Sequence, residues 1–243
     1  MESCIINPER KRGEPQLPVN GILAVNPSDT RFLSTYAEQT GMRRHFLFHS
    51  TLFASNNLFL AGPAVGAPMA ALVLEKLIAL GAENILLYGW CGSLQKGLHA
   101  MDVFVPDRAV SEEGTSHHYA GDTGPVYEPS MSLRARVCQF LLEQHISFQH
   151  GPVWSTDAPY RETDTKVAQY NEQGIFAVDM EYSAVCALAA FRQVNVAAVM
   201  LVSDELLNRP WTPSYSLKIF KQKSSTLLDI LCNFAGEPLP NTA

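Results

Sequence analysis

Short apolar runs alternate along this chain with longer segments of helical period. Gly21 to Val25 is an apolar run of strand length, followed by a polar turn and a helical pattern from Asp29 to Gln39. Phe46 to Phe53 and Leu58 to Ala61 read as paired strands about Asn56-Asn57, a dipeptide that tolerates positive φ. Pro68 to Leu80 is rich in Ala, Leu, Glu and Lys and carries its proline in the first turn, so it predicts a helix. Gly81 ends that helix, and "NILLYG" returns as a buried strand. The second half repeats the alternation. Leu133 to Glu143 is helical, Gln149 to Trp154 is a strand, and Thr163 to Gln173 is a helix stopped by Gly174. A strand at Ile175 to Val178, a helix at Glu181 to Arg192, a strand at Val196 to Val202 and a last amphipathic helix over Ser214 to Phe234 complete the series.

Strand–helix alternation of this kind predicts an α/β fold: a single domain with a central mixed, mainly parallel sheet flanked by helices on both faces. The expected domain spans 21–235, between an N-terminal arm at 1–20 and a loose tail at 236–243. Ligands of such sheets bind at the carboxyl ends of strands. Six polar or glycine-bearing groups fall there: Asn26 to Arg31, Gly62 to Gly66, Gly89 to Ser93, Ser155 to Tyr160, Asp179 to Glu181, and Ser203-Asp204. The group "YGWCGS" predicts a glycine-bracketed turn after its strand, with Trp90 and Cys91 where small hydroxyl residues are usual.

Composition narrows the chemistry. The 243 residues carry 24 acids against 18 bases, a formal charge of −6, which argues against a nucleic-acid polymer as ligand. The basic stretch at Arg10 to Arg12 reads as part of a solvated arm. Five scattered cysteines without a CxxC pair fit a reduced protein. The most apolar stretch, Ala184 to Val202, is broken by Arg192, Gln193 and Asn195, so no membrane span and a cytoplasmic location are expected. "GPAVGAP" is neither a dinucleotide fingerprint nor a P-loop, and the adjacent His117-His118 do not have metal-ligand spacing, so no cofactor and no metal are expected. Cys91 has no activating His or Lys nearby in sequence and reads as a small buried residue rather than a nucleophile.

Three segments, "GPAVGAPMAALVLEKLIALGAENILLYGWCGSLQ" (62–95), "AVDMEYSAVCALAAF" (177–191) and "AVMLVSDEL" (198–206), resemble the nucleoside phosphorylase family. That family includes uridine phosphorylase, hexameric purine nucleoside phosphorylase and the methylthioadenosine/adenosylhomocysteine nucleosidases. The resemblance runs from about Gly21 to Phe234 and implies a dimer or a hexamer built as a trimer of dimers. It also implies cleavage of the bond between a nucleobase and ribose, through a sugar of oxocarbenium character, while negative charge builds on the base. Met180 and Glu181 match the family's ribose-binding pair, with Asp179 beside them. Taken alone, Glu181 reads as a helix-start acid favoured by the macrodipole; within this motif it reads as substrate-binding. Asp204 matches the acid that faces N7 in purine-cleaving members, where a buried carboxyl of raised pKa protonates the leaving base. Capping a following helix is its structural alternative. Asp204 tilts the substrate towards a purine over uridine, while Glu205 and Arg209 set this loop apart from either standard group. "WSTDAPYRET" (154–163) resembles the base loop, with Tyr160 bordering the base, and "EEGTSHHY" (112–119) the sugar loop, with His117 or His118 reaching a hydroxyl.

The phosphate side departs from the family pattern. Arg31 matches its first arginine, and Arg44, or alternatively Arg43, has the spacing of the arginine that a neighbouring subunit supplies. Pro27 replaces a glycine N–H, Leu87 the second arginine and Trp90 a hydroxyl, in the stretch that also holds Gly89 and Cys91. Each lost charged hydrogen bond is worth about 1.5–3 kcal/mol. Ser93, Arg161 and the amides of 91–93 are the replacement donors that the sequence offers. The expected reaction is therefore phosphorolysis of a nucleoside, with inorganic phosphate as co-substrate. Hydrolysis by water and non-catalytic nucleoside binding are the alternatives.

Overall fold

The computed structural model describes residues 4–48, 50–121, 124–208 and 210–237. Its strands are β1 (Asn20–Ala24), β2 (Arg43–Leu47), β3 (Ser50–Ala54), β4 (Phe59–Gly62), β5 (Asn84–Ser93), β6 (Val103–Ser111), β7 (Val126–Tyr127), β8 (Phe148–Ser155), β9 (Ala177–Asp179) and β10 (Asn195–Glu205). The helices are α1 (Thr30–Thr40), α2 (Ala67–Ala79), α3 (His117–Ala120), α4 (Met131–Glu143), α5 (Asp164–Glu172), α6 (Tyr182–Arg192) and α7 (Lys218–Gly236).

All ten strands join one mixed sheet. β5 pairs with β10 in parallel along its whole length, and β10, β6, β8 and β9 follow in turn until β9 returns antiparallel to the end of β5. Those five strands close into a ring, while β1, β4, β3 and β2 extend the sheet from the other edge of β5. Half of the ten pairings are antiparallel, because a hairpin and the ring closure add to the parallel core. Helices α2 and α6 bury the side chains of one face, including Leu87, Cys91 and Met200. Helices α1, α4 and α7 cover the other, including Leu86, Tyr88 and Leu201. Among the described residues no helix is long and apolar enough to cross a membrane.

The sequence reading placed most helices within a few residues and erred where strands bend. Phe46 to Phe53 is not one strand: the chain reverses between Leu47 and Ser50, and β2 and β3 pair as a hairpin. A continuous apolar run hides so tight a reversal, and Phe46 is left 84% exposed at the edge. β6 went unread because Pro106-Asp107-Arg108 interrupts its alternation; a bulge between Pro106 and Arg108 absorbs the break. β5 runs on through Ser93 and β10 through Glu205, beyond the boundaries expected for either. The arm is mostly exposed, yet Leu17 is buried and its N–H donates to the Leu80 carbonyl at 2.8 Å. Arg209 and most of the expected tail, 238–243, lie outside the described residues.

Gly62 ends β4 at φ 151°, and a Cβ there would stand 2.2 Å from the Ala24 carbonyl oxygen. Backbone cannot yield as a side chain can, so glycine is required at the entry to the loop that carries Gly66. Gly62→Ala should lower stability by about 1–3 kcal/mol, read as a lower urea midpoint at unchanged slope. An unchanged midpoint would contradict this packing.

Candidate active site

The parallel pairing of β8 and β9 sets Ser155 beside Asp179, and the Ser155 hydroxyl donates to Asp179 Oδ1 at 2.5 Å. Asp179 Oδ2 accepts the N–H groups of Glu181 (3.1 Å) and Tyr182 (2.7 Å). The first amides of α6 are therefore satisfied by Asp179, two residues before the N-cap position. Glu181 occupies that position, but its side chain makes no capping bond. It reaches instead to the start of α2, where the Gly66 N–H donates to Oε1 at 2.6 Å. The Glu181 carboxyl thus stands at two helix N-termini, a placement that favours negative charge. Met180 lies half-buried between the two acids.

Burial, and next the Asp179 carboxylate, push the Glu181 carboxyl up to about 8; the Gly66 and Met180 N–H groups offset only part of this. Burial raises Asp179 too, to about 6, against its three hydrogen bonds. A third buried acid, Glu113, was not singled out from sequence. Its carboxylate takes hydrogen bonds from Ser111 and Ser183 (both 2.8 Å), the Thr115 amide (2.5 Å) and Ser116. Burial pushes its pKa up, but those donors outweigh it and hold the group below its ordinary value. Glu113 thereby ties the loop before α3 to α6. The local cue was Thr115 and Ser116 two and three residues on, with donors able to fold back. His117 and His118 lie on α3, exposed, with ring centroids 3.9 Å apart.

The expected turn at Gly89–Ser93 is a strand. Gly89, Trp90 and Cys91 pair with Met200, Leu201 and Val202 of β10, and on their other side β1 has ended and β9 has yet to begin. Gly89 is glycine because a Cβ would meet Val25 at 2.9 Å. At Gly92 a Cβ would meet Leu206 at 2.4 Å and Asp204 Oδ2 at 3.3 Å. Cys91 is buried, and burial first, then Asp179 and Asp204, raise its thiol well above the usual range. It is poorly suited to act as a nucleophile, and it lies within the electrostatic reach of both acid groups.

β10 bulges at Ser203, and the bulge turns Asp204 towards Gly92. Asp204 is half-buried; Oδ1 accepts from the Ser203 hydroxyl at 2.6 Å and Oδ2 from Trp211 Nε1 at 2.8 Å. A turn follows Glu205, so Asp204 caps no helix. Sequence reasoning missed Trp211 and also Glu162. Glu162 closes the 3-10 turn at Pro159–Arg161, where burial first, then Asp204 and Glu112, raise it to about 7. Tyr160, on the same turn, is 99% exposed.

The phosphate candidates separate. Arg31 opens α1 and lines a cleft of about 740 Å³ with Trp90. Arg44, on β2, lines a different cleft with Pro63, so one chain does not bring the two arginines together. Ser93 is buried, and its one hydroxyl proton goes to the Gln95 carbonyl at 3.0 Å, leaving none for an anion. Leu87 is fully buried under α2 and α6. Trp90 packs on the opposite face, edge-on to Phe220 at 5.0 Å and parallel to Tyr215 at 6.1 Å. Arg161 is exposed on the 3-10 turn. The described residues contain no cluster of side chains able to hold a metal ion.

The family model described as "Phosphorylase superfamily" matches residues 21–235. The chain belongs to the phosphorylase superfamily. Within that superfamily it is 28% identical to the guanosine phosphorylase of Halorubrum lacusprofundi over 171 residues, 70% of each chain. It is 26% identical to a DeoD-type purine nucleoside phosphorylase of Bacillus thuringiensis over 174 residues, 70% of this chain and 73% of that one. A crystal structure of uridine phosphorylase from Vibrio fischeri superposes with a TM-score of 0.75 at 21% identity, covering 91% of this chain and 90% of that one. The superfamily fold accounts for the mixed sheet, with its strand ends gathered round β5.

The raised pKa of Glu181 has a consequence for stability. The ordinary value is 4.5 and the folded value about 8, so the folded chain keeps a proton that the unfolded chain releases. That contribution is complete below the unfolded value and is lost as pH rises through the folded one. Glu181→Gln keeps an acceptor for the Gly66 N–H and has no proton to lose. Its melting temperature, relative to that of the native chain, should climb from about pH 5 to pH 8.5. A difference that stays constant over this range would show that Glu181 does not titrate as described.

Proposed function

We propose that the chain cleaves the N-ribosidic bond of a purine nucleoside, with phosphate as the acceptor. The observation that carries this reading is the placement of Asp204 and Glu181. The Ser203 bulge aims one carboxyl beside Gly92, and the Asp179 cap frees the other at the start of α6. A carboxyl titrating near neutrality, as Glu181 does, can accept from one ribose hydroxyl and donate to another. Met180 would pack on the sugar beside it. As the bond breaks, charge gathers on the base, and an acid at N7 lowers that barrier. Asp204 fills this role with Glu162 beside it. Glu162, raised to about 7 by burial first and then by Asp204 and Glu112, holds a proton near neutrality that would pass by way of Asp204 to the departing base. The purine preference is supported by this acid and by similarity to guanosine and purine nucleoside phosphorylases.

Hydrolysis is the second reading, and the buried Leu87 favours it, since no cation can stand at that position. A nucleoside panel assayed with and without phosphate separates the two. The proposal expects inosine, guanosine or adenosine to be cleaved to base and ribose 1-phosphate, with little turnover when phosphate is omitted. Equal rates without phosphate, giving free ribose, would establish hydrolysis; cleavage of uridine alone would sink the purine assignment. Asp204→Ala should lower kcat on purine nucleosides by roughly 10²–10⁴-fold with a smaller change in KM. A variant retaining native kcat would remove Asp204 from the chemistry.

A further inference from the structure

Trp211 stands between β10 and α7, beyond the stretch 198–206 that carries the family likeness, and is 51% exposed. Its segment is tied down just after it. The Ser214 N–H donates to the Ser203 carbonyl at 2.7 Å, and the Tyr215 ring lies parallel to Trp90 at 6.1 Å. The indole N–H of Trp211 reaches Asp204 Oδ2 at 2.8 Å. An indole N–H donates and never accepts, so Oδ2 is engaged as an acceptor. The other carboxyl oxygen is bonded differently. The buried Ser203 hydroxyl has one proton and two neighbours, Asp204 Oδ1 at 2.6 Å and the Cys91 carbonyl at 3.2 Å. A carbonyl only accepts. When the hydroxyl turns to Cys91, its contact with Oδ1 is a hydrogen bond only if Oδ1 bears a proton. When Oδ1 is ionised, the hydroxyl turns back and donates to it. Oδ1 therefore keeps its bond to Ser203 in either protonation state, whereas a proton on Oδ2 would compete with the indole hydrogen.

We propose that Trp211 is a positioning residue for the leaving-base acid: by occupying Asp204 Oδ2 it directs the proton to Oδ1, the oxygen that can release it without losing its hydrogen bond. The role deepens the purine-cleaving reading and rests on it. In the step itself the Oδ1 proton passes to N7, and the electron pair of the N9–C1′ bond passes to the base. Asp204 is left as a carboxylate, with the Ser203 hydroxyl on Oδ1 and the indole N–H on Oδ2. A hydrogen bond to an ionised group is worth more than one to a neutral group, so the indole bond strengthens as the proton leaves. Trp211 thus favours the transition state over the bound nucleoside. Trp90 takes part from a distance. It stands where the family pattern has a phosphate hydroxyl, and through Tyr215 it backs the segment that carries Trp211. Oδ2 also lies close over β5, where a Cβ on Gly92 would come within 3.3 Å, so the carboxyl is confined from that side as well.

The test uses Trp211→Phe, which keeps a ring on an exposed segment and removes only the donor. Guanosine and 7-methylguanosine are the paired substrates. The second already carries a positive charge at N7 and leaves without being protonated, so it does not need the acid. On guanosine the variant should lose at least about tenfold in kcat with KM changed less than about threefold, the loss expected for one charged hydrogen bond. On 7-methylguanosine it should lose less than about threefold, a selectivity that a merely structural role would not produce. The bond itself is read by NMR on the full chain. The Trp211 indole N–H resonance, assigned by its absence from Trp211→Phe, should move upfield and exchange faster with solvent in Asp204→Ala. The role is overturned if Trp211→Phe keeps native kcat on guanosine, if it loses equally on both nucleosides, or if the indole resonance is unmoved in Asp204→Ala. Cleavage of neither nucleoside by the native chain would sink the proposed reaction and this role with it, leaving only the bond that the resonance reports. Native cleavage of guanosine with no selective loss in the variant would sink the role of Trp211 and leave the reaction standing.

Discussion

Asp179 is a buried carboxylate at a junction of three elements, and the geometry of the candidate site depends on its hydrogen bonds. It accepts from the Ser155 hydroxyl at the end of β8 and from the first amides of α6, while itself ending β9. An ionised carboxylate would not tolerate this burial without such donors. The donors in turn fix where α6 begins, and that start point decides where Glu181 stands. Because Asp179 meets the needs of the helix, Glu181 is released to face the Gly66 amide across the α2–α6 boundary. Glu113 performs a similar service for the loop before α3, through Ser116 and Ser183.

Closure of the ring converts strand ends into a site. β5, β8, β9 and β10 are distant in sequence, yet pairing of β9 with the last residues of β5 gathers their carboxyl ends. Alternation along β5 then divides the surroundings into two faces. Leu87 and Cys91 turn towards α2 and α6, whereas Trp90 turns towards α7. Two positions that bind one phosphate in the family pattern therefore became two unrelated packing sites, a core leucine and a tryptophan stacked beneath Tyr215.

Acids in the site differ by their donors. Glu113 has four hydrogen-bonding neighbours and stays below the usual carboxylate range despite burial. Glu181 is buried and Glu162 half-buried, with fewer donors and with acidic neighbours, so both rise towards neutrality. One type of side chain thus supplies a fixed anion in one place and proton-holding groups in two others.

Periodicity carried the helices, the parallel core and the family because those depend on residues near one another in the chain. The Pro68 helix, the Met180-Glu181 pair and the Ser203-Asp204 step were all legible as local patterns. The β2–β3 reversal was hidden by unbroken apolarity and β6 by Pro106, since local composition there contradicts the pairing that long-range contacts impose. The glycines of "YGWCGS" looked like a turn because glycine usually serves backbone freedom; here they make room for Val25, Leu206 and Asp204, which lie far away in sequence. Glu113, Glu162 and Trp211 join the site only through folding. By itself the sequence determined which elements form and which chemistry they can carry. Only the tertiary structure decided which acids are capped, which keep a proton and which cations share a cleft, because burial and hydrogen-bond partners are properties of the packed chain.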